Sequence, residues 1–357
     1  MTEPTASSAP ETEMTASVAR RVAARIALTG GVAILVVGVV IAAAADSIPL
    51  WAQLLPFAAS VLVLGFPHGA VDHLVLPRAR SRPITPRDLA FVGSLYLVVG
   101  GLYAIVWWRA PAAAFAAFIA LTLVHWGQGD VYALVALAGA DHLRTRAVRA
   151  LTAFVRGGIP MLVPLIAFPA EYAFVAQALV GLFDPAAATA LEPAFTLEAR
   201  FAVGAFLATA ILGSLAFGLH RADDRGPWLL DAGETLGLVA YFAVVPPILA
   251  IGLYFPFWHS LRHILRAMLL DGQTSGRLAR RCFAGAFSRF ARDAAPLTAG
   301  ALVLFAVLAL AIPTTPATPA DLLGLYLVGI AVLTLPHVVV VTLLDRRIGL
   351  WTPRSRS

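Results

Sequence analysis

The chain has 357 residues, 60% of them hydrophobic and only 13% charged, with eight histidines, one cysteine and a formal net charge of +6. That balance excludes an ordinary soluble domain and places the chain among polytopic membrane proteins. The lone Cys282 excludes an internal disulfide, a cysteine-ligated iron–sulfur cluster and a Cys-rich zinc site.

All 26 basic residues are arginine. No lysine is therefore present for a Walker A loop or a Schiff base, so the chain is not itself a retinal-binding opsin of the usual kind. The arginines sit in short loops between apolar runs, as membrane proteins arrange their cytoplasmic charge, and give no sign of nucleic-acid binding.

In chain order, residues 1–18 are rich in Ser, Thr, Pro and Glu and lack the basic start of a signal peptide. They are expected to form a disordered tail. A spanning helix needs about 20 mostly apolar residues. Candidates cover about 26–45, 51–75, 88–108 and 111–138, then a proline-broken fifth within 152–183. Further candidates cover about 199–219, 229–247, 249–269, 296–313 and 321–344. Connections at 76–88, 141–149 and 271–292 are arginine-rich, whereas 184–198 holds Asp184, Glu192 and Glu198 and no arginine. Positive-inside alternation then puts the acidic loop outside and both termini in the cytoplasm. The expected fold is an all-α polytopic membrane bundle of about 8–10 transmembrane helices in the cell membrane. One helical catalytic domain is expected over 19–347, with a basic C-terminal tail over 348–357.

His142 and His220 fall in loops and are read as solvated. The other six histidines lie in or beside apolar runs, in "FPHGAVDH", "VHWGQGD", "FWHSLRH" and "LPHVVVV". An imidazole in lipid needs a polar partner, and intramembrane ionisable groups are functional by default. A metal is the partner that satisfies several imidazoles at once, and imidazole suits iron, zinc, copper and nickel. His259 and His263 are four apart, which puts both rings on one helical face. His68 and His125 from other spans can complete a set. Gly69 and Gly127 follow them closely and are expected to allow a close backbone approach or a local break.

Asp72 lies four residues after His68 and is expected to hold that ring or join a neighbour's hydrogen-bond network. Asp130, five residues after His125, is expected to do the same in its span or to cap a helix. His73 and His337 remain open as ligands, hydrogen-bonding supports or packing residues, and Pro336 is expected to bend the last helix. Arg262 and Arg266 are expected to snorkel to the surface or to pair with Asp72 or Asp130.

No H-x-x-H-H box, H-E-x-x-H or G-x-S-x-G motif is present. A four-imidazole set without carboxylate fits a mononuclear centre. Two rival readings are a membrane haem protein with histidine axial ligands and a transporter using its buried His, Asp and Arg and its proline-broken helices.

"PHGAVDH", "HWGQGD", "FWHSLRH" and "LPHVVVV", in this order over about residues 60–345, resemble the Brp/Blh family of membrane β-carotene 15,15′-dioxygenases. The resemblance implies cleavage of the central double bond of β-carotene with O2 to give two molecules of retinal. It implies a non-haem ferrous iron, Fe(2+), held by His68, His125, His259 and His263. It also implies a hydrophobic tunnel reached from the lipid bilayer, and a functional link to a retinal-binding opsin.

Overall fold

The computed structural model describes residues 8–353, and over them the chain is helical with no strand. Helix α1 (Ser8–Ala43) is 36 residues long. Residues 8–18 of the expected disordered tail are thus helix, and residues 1–7 lie outside the described residues. The physical reason is propagation. Once the apolar segment is helical, each added Ala, Glu or Met costs little, and Pro10 is tolerated in the first turn. Ala19, Ala23 and Ala27 form one fully buried stripe, while Val32, Val36 and Val40 face outward. Small residues toward protein and branched apolar residues toward lipid is the pattern of a membrane helix against a bundle.

The expected span over 51–75 is not one helix. It is α2 (Leu50–Ser60), a 3₁₀ turn (Phe66–His68) and α3 (Asp72–Ala79). Pro67 disfavours helical backbone at the residue before it, and Leu64 takes a positive φ of 64°. The break carries His68 into the protein interior.

Helix α4 (Pro86–Leu95) starts at a Thr85–Asp88 capping box and runs through a π turn (Tyr96–Gly100) into α5 (Gly101–Arg109). Next come α6 (Pro111–Tyr132) and α7 (Arg146–Ala167). They cross at two glycines: a Cβ on Gly127 would overlap the carbonyl of Ala153, and one on Gly157 the carbonyl of Leu123. Only glycine permits that approach. Helices α8 (Pro169–Gly181) and α9 (Pro185–Thr189) follow, so the fifth expected span is split at Phe168.

Helix α10 (Leu197–Arg221) precedes α11 (Arg225–Val244). Helix α12 (Pro247–Tyr254) passes through a π turn (Phe255–Ser260) into α13 (Leu261–Leu270). Pro256 has no N–H to give to the carbonyl four residues earlier, which favours the wider turn at this point. Helices α14 (Gly272–Ala279), α15 (Phe283–Ala311) and α16 (Pro319–Arg347) complete the fold, and α16 runs through Pro336 as one helix.

Among the described residues, seven helices are long and apolar enough to cross a membrane. Helix α11 and the α12–α13 rod have comparable length but carry buried charges, which accounts for the difference from 8–10. Arginine-rich connections meet on one face: Arg78 pairs with Asp293 (2.6 Å), Arg144 with Asp223, and Arg149 donates to the carbonyls of Leu350 and Thr352. On the opposite face the Thr314 amide donates to the Leu182 carbonyl (3.3 Å). Leu350 is buried and Trp351 half-buried, so this part of the expected C-terminal tail packs onto the bundle, while Ile348, Thr352 and Pro353 are exposed; 354–357 lie outside the described residues.

Asp271 caps α14 on the arginine-rich face. Burial alone would raise its pKa, but hydrogen bonds from Arg289 and Thr274 prevail and hold it at about 2. Its folded value lies below that of a free aspartate, so its stabilisation is complete above the free value and is lost as pH falls through about 2. In detergent, the wild-type melting temperature is expected to fall through that acid window more steeply than that of Asp271→Asn. Parallel acid profiles would contradict this role.

Candidate metal centre

Five histidines converge inside the bundle. His68 comes from the 3₁₀ turn, His125 from α6, His259 from the π turn, His263 from α13 and His337 from α16. All but the half-buried His68 are buried. Two groups, His68–His125–His337 and His125–His259–His263, each bring one donor atom per residue within 4.8 Å of the others. The Nε2 atoms of His125 and His259 are 3.0 Å apart. Ring centres of the measured pairs lie between 4.6 Å (His259–His263) and 6.3 Å (His68–His125). A metal–nitrogen bond of about 2.1 Å puts a ring centre roughly 3 Å from the ion, so imidazoles sharing an ion lie roughly 4–6.5 Å apart.

The hydrogen bonding leaves ring nitrogens available to a metal. Nδ1 of His68 donates to the Gly65 carbonyl, with Ser260 Oγ 3.3 Å from the same nitrogen. Nδ1 of His337 donates to Asp72 (2.8 Å). Nε2 of His263, Nε2 of His337 and Nδ1 of His125 are buried without a hydrogen-bond partner. Such atoms are costly in a protein interior unless something else satisfies them. The donor set is imidazole throughout, a ligand that suits iron, zinc, copper and nickel.

Several expectations change in detail. Asp72 takes the second of its two expected roles: it joins a neighbour's network, accepting from His337 and from Tyr96 (2.6 Å), and does not hold His68. Asp130 touches no histidine. It accepts from Trp258 Nε1 (3.0 Å) and Arg262 (2.9 Å). Arg262 does pair with Asp130 as expected, while Arg266 pairs with Asp345 (2.5 Å), a partner the sequence did not suggest. His73 stands outside the five rings and lines the adjoining cavity. His142, read as solvated, is fully buried and lies 3.0 Å from Asp231. The loop that carries it folds back against α11.

A buried ionic network supports the centre. Glu234 bridges Arg156 and Arg262, and Asp231 lies 3.5 Å from Arg156. The Arg262 guanidinium also sits 3.9 Å over the Trp258 ring. Trp258 and Arg262 flank His259 and precede His263, so the network fixes the helix that presents both rings. Sequence reasoning missed Arg156, Asp231 and Glu234. The available signal was an arginine within the otherwise apolar run of α7 and two carboxylates three apart on α11.

Against the histidines lies an apolar cavity of about 840 Å³, reached by His68, His125, His259 and His337. Its walls include Phe57, Phe66, Phe118, Trp126 and Phe255. It extends to Gly93 and Leu97 on α4 and the π turn, and to Leu297 and Gly300 on α15. Those four residues are also exposed on the outer, apolar surface of the bundle, where Leu97 is 77% exposed.

Fold and site together define a helical membrane protein with a buried polyhistidine centre beside a hydrocarbon-lined cavity. The chain belongs to the beta-carotene 15,15'-dioxygenase family, whose model matches residues 59–345. It is 45% identical over 328 residues to the "Probable beta-carotene 15,15'-dioxygenase Blh" of Halobacterium salinarum, covering 92% of this chain and 94% of that relative. It is 31% identical over 317 residues to the "Probable beta-carotene 15,15'-dioxygenase Brp" of the same organism, covering 85% and 87%. No solved structure matches the chain.

Proposed function

We propose that this protein cleaves the central 15,15′ double bond of β-carotene with O2 at a non-haem ferrous centre held by His68, His125, His259 and His263. The balance is one β-carotene and one O2 giving two retinal. The observation that carries this reading is that His68, His125 and His259 stand on the wall of the apolar cavity, with His263 grouped behind them with His125 and His259, in a chain of this family. Ferrous iron, when bound, would supply the electron chemistry that lets ground-state O2 react with a closed-shell polyene.

The chain's own residues bind and orient. β-Carotene has no polar handle and is about as long as the hydrocarbon core is thick, about 30 Å. Recognition must therefore come from cavity shape, with the central double bond positioned beside the histidines and the ionone rings toward its ends. Phe66, Trp126 and Phe255 offer flat walls to the polyene and exclude water from the reacting bond. A haem fits the site poorly, because imidazoles approach the common point from several directions and leave no plane for a macrocycle. Arginine-rich connections on one face favour both termini in the cytoplasm of a cell-membrane protein.

The substrate would pass from the bilayer between α4 and α15. A Cβ on Gly93 or Gly300 would meet nothing within 4 Å, so a side chain can be added at the opening without overlapping the backbone. Gly300→Trp is expected to cut turnover at least about tenfold, since misplaced substrate costs this much or more, with metal content unchanged. Full turnover with the tryptophan in place would rule out this portal.

Expression in a bacterial host that makes β-carotene tests the activity. Chromatography is expected to find retinal replacing β-carotene. Unequal apocarotenal fragments would refute central cleavage, and persistence of β-carotene beside folded, iron-loaded protein would refute the reaction.

A further inference from the structure

We propose that His337 is a fifth imidazole of the metal centre, aimed by Asp72 and Tyr96. The inference rests on the metal-centre reading above and adds a donor beyond the four histidines it uses. His337 lies on α16, far along the chain from the other four rings, yet its donor atom lies within 4.8 Å of those of His68 and His125. Its ring centre is 4.7 Å from that of His125 and 5.0 Å from that of His68. These are the same spacings as between the other rings.

The hydrogen bonds fix which atom faces the cluster. Asp72 Oδ2 accepts from His337 Nδ1 at 2.8 Å and from the Tyr96 hydroxyl at 2.6 Å. With Nδ1 carrying its proton toward the carboxylate, Nε2 keeps its lone pair. That Nε2 is buried and has no hydrogen-bond partner. A carboxylate behind a neutral imidazole is the arrangement that orients metal-bound histidines and raises their basicity. A merely structural His337 would leave this nitrogen unsatisfied beside four other imidazoles, at a cost that a bound ion removes.

Asp72 makes the case stronger by its own placement. It is buried, starts α3 immediately after the broken segment that delivers His68, and reaches across to α16. One carboxylate thus links the segment carrying His68 to the helix carrying His337. Tyr96 belongs to a π turn, whose extra residue changes where its side chain points.

The test is Co(II) titration of metal-stripped full-length protein in detergent, followed by visible absorption, for wild type, His337→Ala, Asp72→Asn and Tyr96→Phe. The ligand-field bands of Co(II) report coordination number independently of turnover. His337→Ala is expected to shift and intensify these bands, as a lower coordination number does, and to weaken Co(II) binding at least about tenfold. Asp72→Asn keeps the imidazole but loses its carboxylate, and is expected to weaken binding about 10–100-fold. Tyr96→Phe follows in the same direction with a smaller change. If His337→Ala does not fold, the affinity and bands of Asp72→Asn decide. Wild-type bands and affinity in the folded variants would overturn the role of His337 while leaving the four-histidine centre standing. Failure of wild type to bind Co(II) would overturn both.

Discussion

Replacing His259 by alanine is expected to lower retinal formation by at least about 100-fold and to release the bound metal from the purified protein. His259 is the ring most closely tied to its neighbours, with Nε2 3.0 Å from Nε2 of His125 and its ring centre 4.6 Å from that of His263. Loss of a residue that only supports a ligand already costs about 10–100-fold in metal affinity or activity, so loss of a ligand sits at or above the upper end. The side chain points into the cavity, so the helices keep their apolar contacts. The variant is expected to elute as folded protein on size exclusion. Metal retention and turnover near wild type would remove His259 from the centre.

The second large effect is on folding. Arg262→Leu keeps roughly the same volume but leaves Asp130 and Glu234 without one of their guanidinium partners. These carboxylates are buried beside membrane-spanning helices, where water cannot replace the lost contact. Breaking a buried ion pair by removing one partner costs about 3–5 kcal/mol, a large part of a typical folding free energy of roughly 5–15 kcal/mol. A lower yield of monodisperse protein is expected, with a lower melting temperature in detergent. Because Trp258 loses the cation over its ring, the His259–His263 helix is expected to loosen, so metal affinity falls as well. An unchanged melting temperature would show that the network is not required for the fold.

The histidine clusters were legible because an imidazole in an apolar run has few uses. The spacing of His259 and His263 and the motifs around His68 and His125 brought four of the five convergent rings together before any geometry was known. His337 stayed open because its position depends on how α16 packs against α3, which no local pattern encodes. The break at residues 61–71 was missed because apolar content sets a hydropathy span even where the helix stops at Ser60 and Gly65 and Pro67 shape the segment that follows. For Asp130 the sequence left open the histidine of its own span, a helix cap and a pairing with Arg262. The partner that prevails, Arg262, is distant in sequence, and a charge-assisted hydrogen bond outcompetes a neutral one. His142 looked like a loop residue because loop position says nothing of what the loop folds onto. Glu234 and Arg156 compensate each other across two helices, so each alone resembles an interruption of an apolar segment.

The most direct test of a ferrous carotenoid-cleaving centre is metal replacement in the wild-type protein. Protein stripped with a chelator is reloaded with Fe(II), Zn(II) or Mn(II), given β-carotene in detergent under O2, and its products are quantified. Two retinal per β-carotene consumed are expected with Fe(II), and none with Zn(II). Equal retinal from the stripped or zinc-loaded protein, or no cleavage by folded protein that holds Fe(II), would contradict it.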